Sequence, residues 1–162
     1  MKKKLAIILM CCVIFCLVGC NKPDNGDDEI NPFLNVKSDS IMFEVHKSYN
    51  ALADINSDYH AGDKYTIYYD GRVTKEEIMN ISDNIKYSAT ISKSDLQKLQ
   101  DIGEQNKNNS TTSDYNGCDA PSYDITYYDT LQNKYELTSF SDNLKDYDAI
   151  IDVINSCSFT QE

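Results

Sequence analysis

The chain is poor in basic residues. Its 15 lysines and arginines stand against 26 aspartates and glutamates, which gives a formal net charge of −11. Nucleic-acid binding needs clustered basic side chains that neutralise phosphates, and an anionic membrane surface also attracts basic patches. The charge balance therefore argues against nucleic acid as a partner and against a domain lying flat on a membrane. It favours a surface kept in solution by its charge, with a dedicated cation-binding surface as the alternative.

Histidine is nearly absent, and this limits the chemistry open to the chain. His46 and His60 are the only two histidines, and neither has a Cys or His partner at metal-ligand spacing. No G-x-S-x-G motif marks a nucleophile. Among the 26 acidic residues, no two stand out as a glycosidase-type pair of carboxylates. The sequence therefore predicts no catalytic residue, no metal and no cofactor. It leaves enzymatic activity uncertain, with a non-enzyme favoured.

The stretch "DINSDYHAG" places Asp54, Asn56 and Asp58 at alternating positions, as a calcium loop does. An EF-hand also needs glycine at the sixth position and glutamate at the twelfth, where this sequence has Tyr59 and Tyr65. An ordinary polar turn is therefore favoured over a calcium site of another type.

Tryptophan is absent, whereas tyrosine occurs twelve times. Tyrosine packs well on half-buried strands, which explains its abundance without any function. The alternative is an aromatic face that binds a sugar or a peptide. Tyr68 and Tyr128 lie opposite the apolar residues of their strands, so they are the candidate ligand-binding residues.

One apolar run stands out, at residues 5–18, after three lysines and directly before Gly19 and Cys20. At about 1.5 Å per residue, a helix of this length falls short of a bilayer core of roughly 30 Å. A permanent transmembrane anchor is therefore the weaker interpretation. The layout predicts a secretory signal peptide at residues 1–19.

The tetrapeptide Leu17-Val18-Gly19-Cys20 closely resembles the lipobox of bacterial lipoproteins. The resemblance implies that the Cys20 thiol receives a diacylglyceryl group and that Cys20 becomes the mature N-terminus. Each CH₂ group that an acyl chain buries in a membrane contributes about 0.8 kcal/mol to membrane binding. The lipidated chain would therefore have a lipid bilayer as its partner. The implied location is the cell membrane, with the lipid-anchored domain facing outside the cytoplasm. The mature part also resembles small lipoproteins of low-GC bacteria that have no assigned activity. This resemblance implies no catalytic residue.

Only two cysteines follow Cys20, namely Cys118 and Cys157. An even pair in an exported domain predicts a disulfide bond. Its loop would stabilise the fold by roughly 4 kcal/mol in the chain-entropy model. Two free thiols in a reducing niche are the alternative.

The remaining chain divides into a tether and one domain. Residues 20–38 contain two of the three prolines and few apolar residues, so they are predicted to form a flexible, solvated tether. Residues 39–162 have the length of a single domain.

Two hairpins are predicted in this domain, each followed by a helix. "KYTIYYDG" alternates in polarity and ends at Asp70-Gly71, the pair typical of a tight type I′ turn, and "SYDITYYDT" has a similar pattern. Ser92 is the predicted N-cap of the first helix, Gly103 its predicted end, and residues 141–156 form the second helix. The predicted fold is α+β: two antiparallel β-hairpin-plus-helix units forming one sheet, with the helices packed on one face.

Three functions are compatible with these features. The favoured one is a membrane-tethered extracytoplasmic lipoprotein with a non-catalytic binding domain for an envelope protein or glycan. The first alternative is an inhibitor or accessory subunit of a secreted hydrolase, acting through the loop at residues 106–117. The second is a small carboxylate-based hydrolase.

Overall fold

A computed structural model describes residues 30–31, 36–49, 57–109, 111–112, 121–141 and 147–162. These ranges contain ten strands and two helices. The strands are β1 (Ile30–Asn31), β2 (Val36–Lys37), β3 (Ile41–Ser48), β4 (His60–Tyr68), β5 (Arg72–Met79), β6 (Ile85–Thr90), β7 (Thr111–Thr112), β8 (Ser122–Tyr128), β9 (Lys134–Ser141) and β10 (Thr160–Gln161). The helices are α1 (Lys93–Asn106) and α2 (Asp148–Ser156).

Eight of the strands form one sheet in the order β10-β6-β5-β4-β3-β8-β9-β7. Every neighbouring pair is antiparallel except β7 and β9, which run parallel. Helix α1 follows the four strands β3 to β6 in the chain, and α2 follows β8 and β9. The predicted α+β class with a mainly antiparallel sheet is therefore confirmed. Within the described ranges, neither helix has the length and apolar character that a bilayer crossing requires.

The core lies between one face of this sheet and the two helices. Phe43 and Val45 of β3 pair with Ile67 and Tyr65 of β4, so their side chains share a face. Both helices contribute buried side chains to the same apolar cluster, among them Leu96, Leu99, Ile150, Val153 and Ile154. Val36, within the predicted tether, also joins this cluster with 5 % of its surface exposed.

The hairpin at Asp70-Gly71 is confirmed, but its predicted type I′ turn is wrong. A type I′ turn needs positive φ at both central residues, and here only Gly71 has one, at 91°. The Gly71 amide donates to the carbonyl of Tyr68, so Tyr69 and Asp70 are the central residues of the turn. Three residues, Tyr69 to Gly71, connect β4 to β5, and Tyr69 is fully buried in the core.

Helix α1 begins as predicted, because the Ser92 side chain accepts a hydrogen bond from the Asp95 amide at 3.1 Å. It does not end at Gly103, which lies inside the helix and is buried. A Cβ atom at Gly103 would overlap the ring of Tyr127. The glycine therefore permits a close approach between helix and sheet, and Lys107 caps the helix four residues later.

Candidate functional site

The strongest candidate site is the sheet face that points away from the helices, which we call the open face. Strand alternation places residues of β3, β4, β5, β6 and β8 on it. They are Glu44, His46, Lys64, Thr66, Tyr68, Thr74, Glu76, Lys86, Ser88, Asp124, Thr126 and Tyr128. Both predicted ligand-binding tyrosines, Tyr68 and Tyr128, therefore lie on one face, on the two strands that flank β3.

Tyr128 is held by a carboxylate at the centre of the open face. Its hydroxyl donates to Glu44 Oε2 at 2.6 Å, and Lys64 Nζ lies 3.2 Å from Glu44 Oε1. Burial alone would raise the pKa of Glu44, but the hydrogen bonds from Tyr128 and Lys64 outweigh it and lower the pKa. Burial and the bond to Glu44 raise the pKa of Tyr128 to about 12. Tyr128 therefore stays a neutral donor, and Glu44 stays ionised, at neutral pH.

Tyr68 is held by a different contact. The guanidinium of Arg72 lies 4.6 Å from the centre of its ring, and Arg72 Nε donates to Asp70 Oδ2 at 2.6 Å. The bond to Asp70 is the main reason that the pKa of Arg72 is raised. The two tyrosine rings are thus oriented by charged neighbours before any ligand is present, which lowers the entropic cost of binding.

Two polar rows cross the open face beside the tyrosines. In the hydroxyl row, each residue pairs with the next across adjacent strands: Thr126, Glu44, Thr66, Thr74, Ser88 and Thr160. In the charged row, the same relation joins Asp124, His46, Lys64, Glu76 and Lys86. A concavity of about 290 Å³ lies over these rows, and its lining combines Thr66, Tyr68 and Thr74 with charged residues, among them Lys64, Glu76, Lys86 and Glu162.

A second polar cluster lies on the helix side of the sheet, at the end remote from the Asp70-Gly71 turn. Asp63 is at its centre, with only 2 % of its surface exposed. Its Oδ1 lies 3.0 Å from His60 Nε2 and 3.4 Å from Lys75 Nζ, and its Oδ2 accepts a hydrogen bond from Tyr49 at 2.8 Å. Lys75 also contacts Glu77 Oε1 at 2.6 Å. We call these five residues the Asp63 cluster.

The Asp63 cluster is suited to structure rather than to proton transfer. Both carboxylates bind the same ammonium group, and Lys75 also lies 5.3 Å from the ring centre of Tyr87. Burial would lower the pKa of Lys75, but Glu77 and Asp63 raise it above its usual value. The cluster was not predicted, because the apolar alternation that identifies the covered face of β4 begins at Tyr65, two residues after Asp63.

Asp58, from the possible calcium loop, is engaged in a turn. Its Oδ1 accepts hydrogen bonds from the amides of Ile81 at 3.2 Å and Ser82 at 3.4 Å. Asp54 and Asn56 lie outside the described residues. In the part of the chain that the structure describes, no three His, Cys, Asp or Glu side chains are grouped to hold a metal ion.

Most residues of the predicted anchor and disulfide lie outside the described ranges. This applies to the signal peptide, the lipobox with Cys20, and Cys118. Cys157 is described: it caps the end of α2, is half-buried, and its thiol donates to the Val153 carbonyl at 3.3 Å. The bond between Cys118 and Cys157 therefore stays a prediction.

Comparison with known proteins gives no relative: no protein-family profile, no curated protein and no solved structure matches the chain. The chemistry of the open face is therefore the basis on which a function is assigned.

Proposed function

We propose that this protein is a lipid-anchored extracytoplasmic lipoprotein whose domain binds an envelope component without catalysis, through the open face. The observation that carries the proposal is the arrangement of Tyr128, Glu44 and Lys64, with Tyr68 on the other side of β3. Preorganised aromatic and polar groups on a rigid sheet are typical of a binding surface. The charged groups at its centre bind one another, which supports recognition rather than acid-base chemistry.

The anchor rests on the lipobox sequence Leu17-Val18-Gly19-Cys20. We expect mass spectrometry of native material to find a chain that begins at Cys20 and carries acyl groups. A Cys20→Ser variant should remain an unprocessed precursor, because serine lacks the thiol that forms the thioether. An unmodified Cys20 in a native chain that begins at Met1 contradicts the anchor, whatever the open face binds.

The binding surface is tested with a double variant, Tyr68→Ser and Tyr128→Ser. We expect lipid-free envelope material to retain the wild-type protein. The retained amount of the double variant should be at most one quarter of the wild-type amount, because each aromatic contact contributes roughly 1 kcal/mol. Lipid-free material is needed so that the acyl anchor itself cannot cause retention. The full-length chain in detergent is used for every variant.

Tyr59→Ser is the matched control for this experiment, because Tyr59 precedes β4 and lies off the open face. Its retention should equal that of the wild type. Equal retention of the double variant and the control would show that the open face is not the binding surface. Far-UV circular dichroism of each variant excludes loss of the fold as the cause.

We also propose that the domain consists of two related hairpin-plus-helix units with their helices on one face. The likeness of "KYTIYYDG" to "SYDITYYDT" supports this. So does the position of both segments on strands that flank β3, each followed by a return strand and later by a helix.

A further inference from the structure

We infer that the ligand of the open face is a neutral polysaccharide strand that lies along the hydroxyl row. The inference rests on the proposed function, since it names the ligand class of the same surface. Neighbouring strands are about 4.8 Å apart, so the row presents one polar group per strand at nearly constant intervals. That interval is comparable to the length of one sugar unit in an extended, β-linked chain.

The exposure of the hydroxyl-bearing residues differs along the row: Ser88 is exposed, Thr74 and Thr126 are half-buried, and Thr66 has 8 % of its surface exposed. Thr66, Thr74, Ser88 and Thr126 have no side-chain hydrogen-bond partner among the residues that the structure describes. A hydroxyl group both donates and accepts, as the hydroxyl groups of a sugar do. Thr66, Thr74 and Ser88 lie on three adjacent strands, and three such groups match a polyol better than they match an ion.

The paired charges beside Tyr68 and Tyr128 point to a ligand without charge. Glu44 is bound by Lys64 and Tyr128, and Arg72 at the margin is bound by Asp70. Glu76 Oε1 accepts a hydrogen bond from Asn84 at 2.9 Å. Because Glu44 and Arg72 are already paired, a charged ligand beside them would have to displace an existing partner, whereas a neutral one would not.

The aromatic side chains complete the match. Tyr68 and Tyr128 flank β3 next to the hydroxyl row, and rigid aromatic rings bind the apolar C–H face of a sugar at small entropic cost. The large exposed apolar side chains in the described part of the chain are Ile81 and Leu131, and both are in turns, away from the open face. Within the described ranges, the open face therefore offers no large exposed apolar side chain to a peptide strand.

The size of the concavity sets the expected affinity. About 290 Å³ accommodates one sugar unit and not a whole oligosaccharide. Each site should therefore bind weakly, and many anchored copies on one polymer would gain strength by avidity.

The test is calorimetric titration of the full-length protein in detergent with the hexamer of β-1,4-linked N-acetylglucosamine. We expect saturable binding and, for the double variant Thr66→Val and Thr74→Val, an affinity lower by about 25-fold, since a hydrogen bond contributes about 1 kcal/mol. Valine keeps the β-branched shape and removes only the hydroxyl group. Thr130→Val, in the exposed β8–β9 turn, is the control and should bind like the wild type.

Three results would overturn the inference while the proposed function survives. One is no saturable binding of the hexamer although lipid-free envelopes still retain the protein through Tyr68 and Tyr128. The other is retention that disappears when the envelope material is first digested with protease, which identifies a protein partner. An unchanged affinity in a folded Thr66→Val, Thr126→Val variant also contradicts a ligand on the hydroxyl row.

Discussion

Replacement of Asp63 by alanine is expected to lower the free energy of unfolding by about 3 kcal/mol, near the lower end of the range for breaking a buried ion pair. The substitution removes the acceptor for Tyr49 and the carboxylate that faces His60 and Lys75. The loss stays near the lower end because Lys75 keeps Glu77 as a partner at 2.6 Å. Asp63→Asn, which retains an oxygen acceptor without the charge, should lie between alanine and the wild type.

Urea unfolding at pH 7, followed by circular dichroism, measures this effect. Asp70→Ala is the control, because Asp70 also pairs with a basic residue, Arg72, but that side chain is 53 % exposed. An exposed ion pair contributes at most about 1 kcal/mol, so the control should lose far less than Asp63→Ala. Similar losses in the two variants would mean that the Asp63 cluster does not stabilise the fold as its burial indicates.

The hairpins and the capped helix were predictable because their signals are local. Alternation within β4 and β8, and the Ser92 cap, each depend on a few neighbouring residues. The order of the sheet was not predictable, because β3 pairs with β8 across more than seventy residues of chain. Nothing within β3 specifies which strand lies on its second edge.

The open face was partly predictable, and the Asp63 cluster was not. The phase of Tyr68 and Tyr128 relative to Ile67 and Tyr127 placed both tyrosines opposite the core. Asp63 and Lys75 are charged, but they occupy positions of the same parity as the apolar residues of their strands. They therefore lie on the covered face. One signal could have identified the cluster. It is a carboxylate at a position that alternation assigns to the buried face, with a lysine at such a position on the next strand.

Gly103 shows how a correct local rule can give a wrong boundary. Glycine often ends a helix because it adopts positive φ, but Gly71 is the described glycine that does so here. Gly103 is required instead by the ring of Tyr127, which packs against it from the sheet. The reason lies in tertiary packing, and the sequence of α1 does not contain it.

The second large effect is expected at Asp129, at the end of β8 next to Tyr128. Its side chain accepts four hydrogen bonds, from the amides of Leu131 and Asn133, from Asn133 Nδ2 and from the Tyr135 hydroxyl. They fold the turn in which Gln132 has a positive φ of 62° and binds both backbone polar groups of Ile41. Asp129→Ala should therefore lower the free energy of unfolding by about 3 kcal/mol, because a hydrogen bond to a charged group contributes roughly 1.5–3 kcal/mol and such bonds are not additive.

The contribution of Asp129 should also depend on pH. Burial would raise its pKa, but the hydrogen bonds from Asn133, Leu131 and Tyr135 outweigh burial and hold the pKa below its usual value. A lowered pKa in the folded state means that the carboxylate stabilises the fold above about pH 4 and loses this effect as the pH falls through the folded pKa. Since a protonated aspartate resembles asparagine, the stability difference between wild type and Asp129→Asn should be larger at pH 7 than at about pH 2. Urea unfolding at both pH values measures it, with Asp101→Asn on the exposed side of α1 as a control that should change little. The same difference at both pH values would show that the charge of Asp129 does not contribute to holding the turn beside Tyr128.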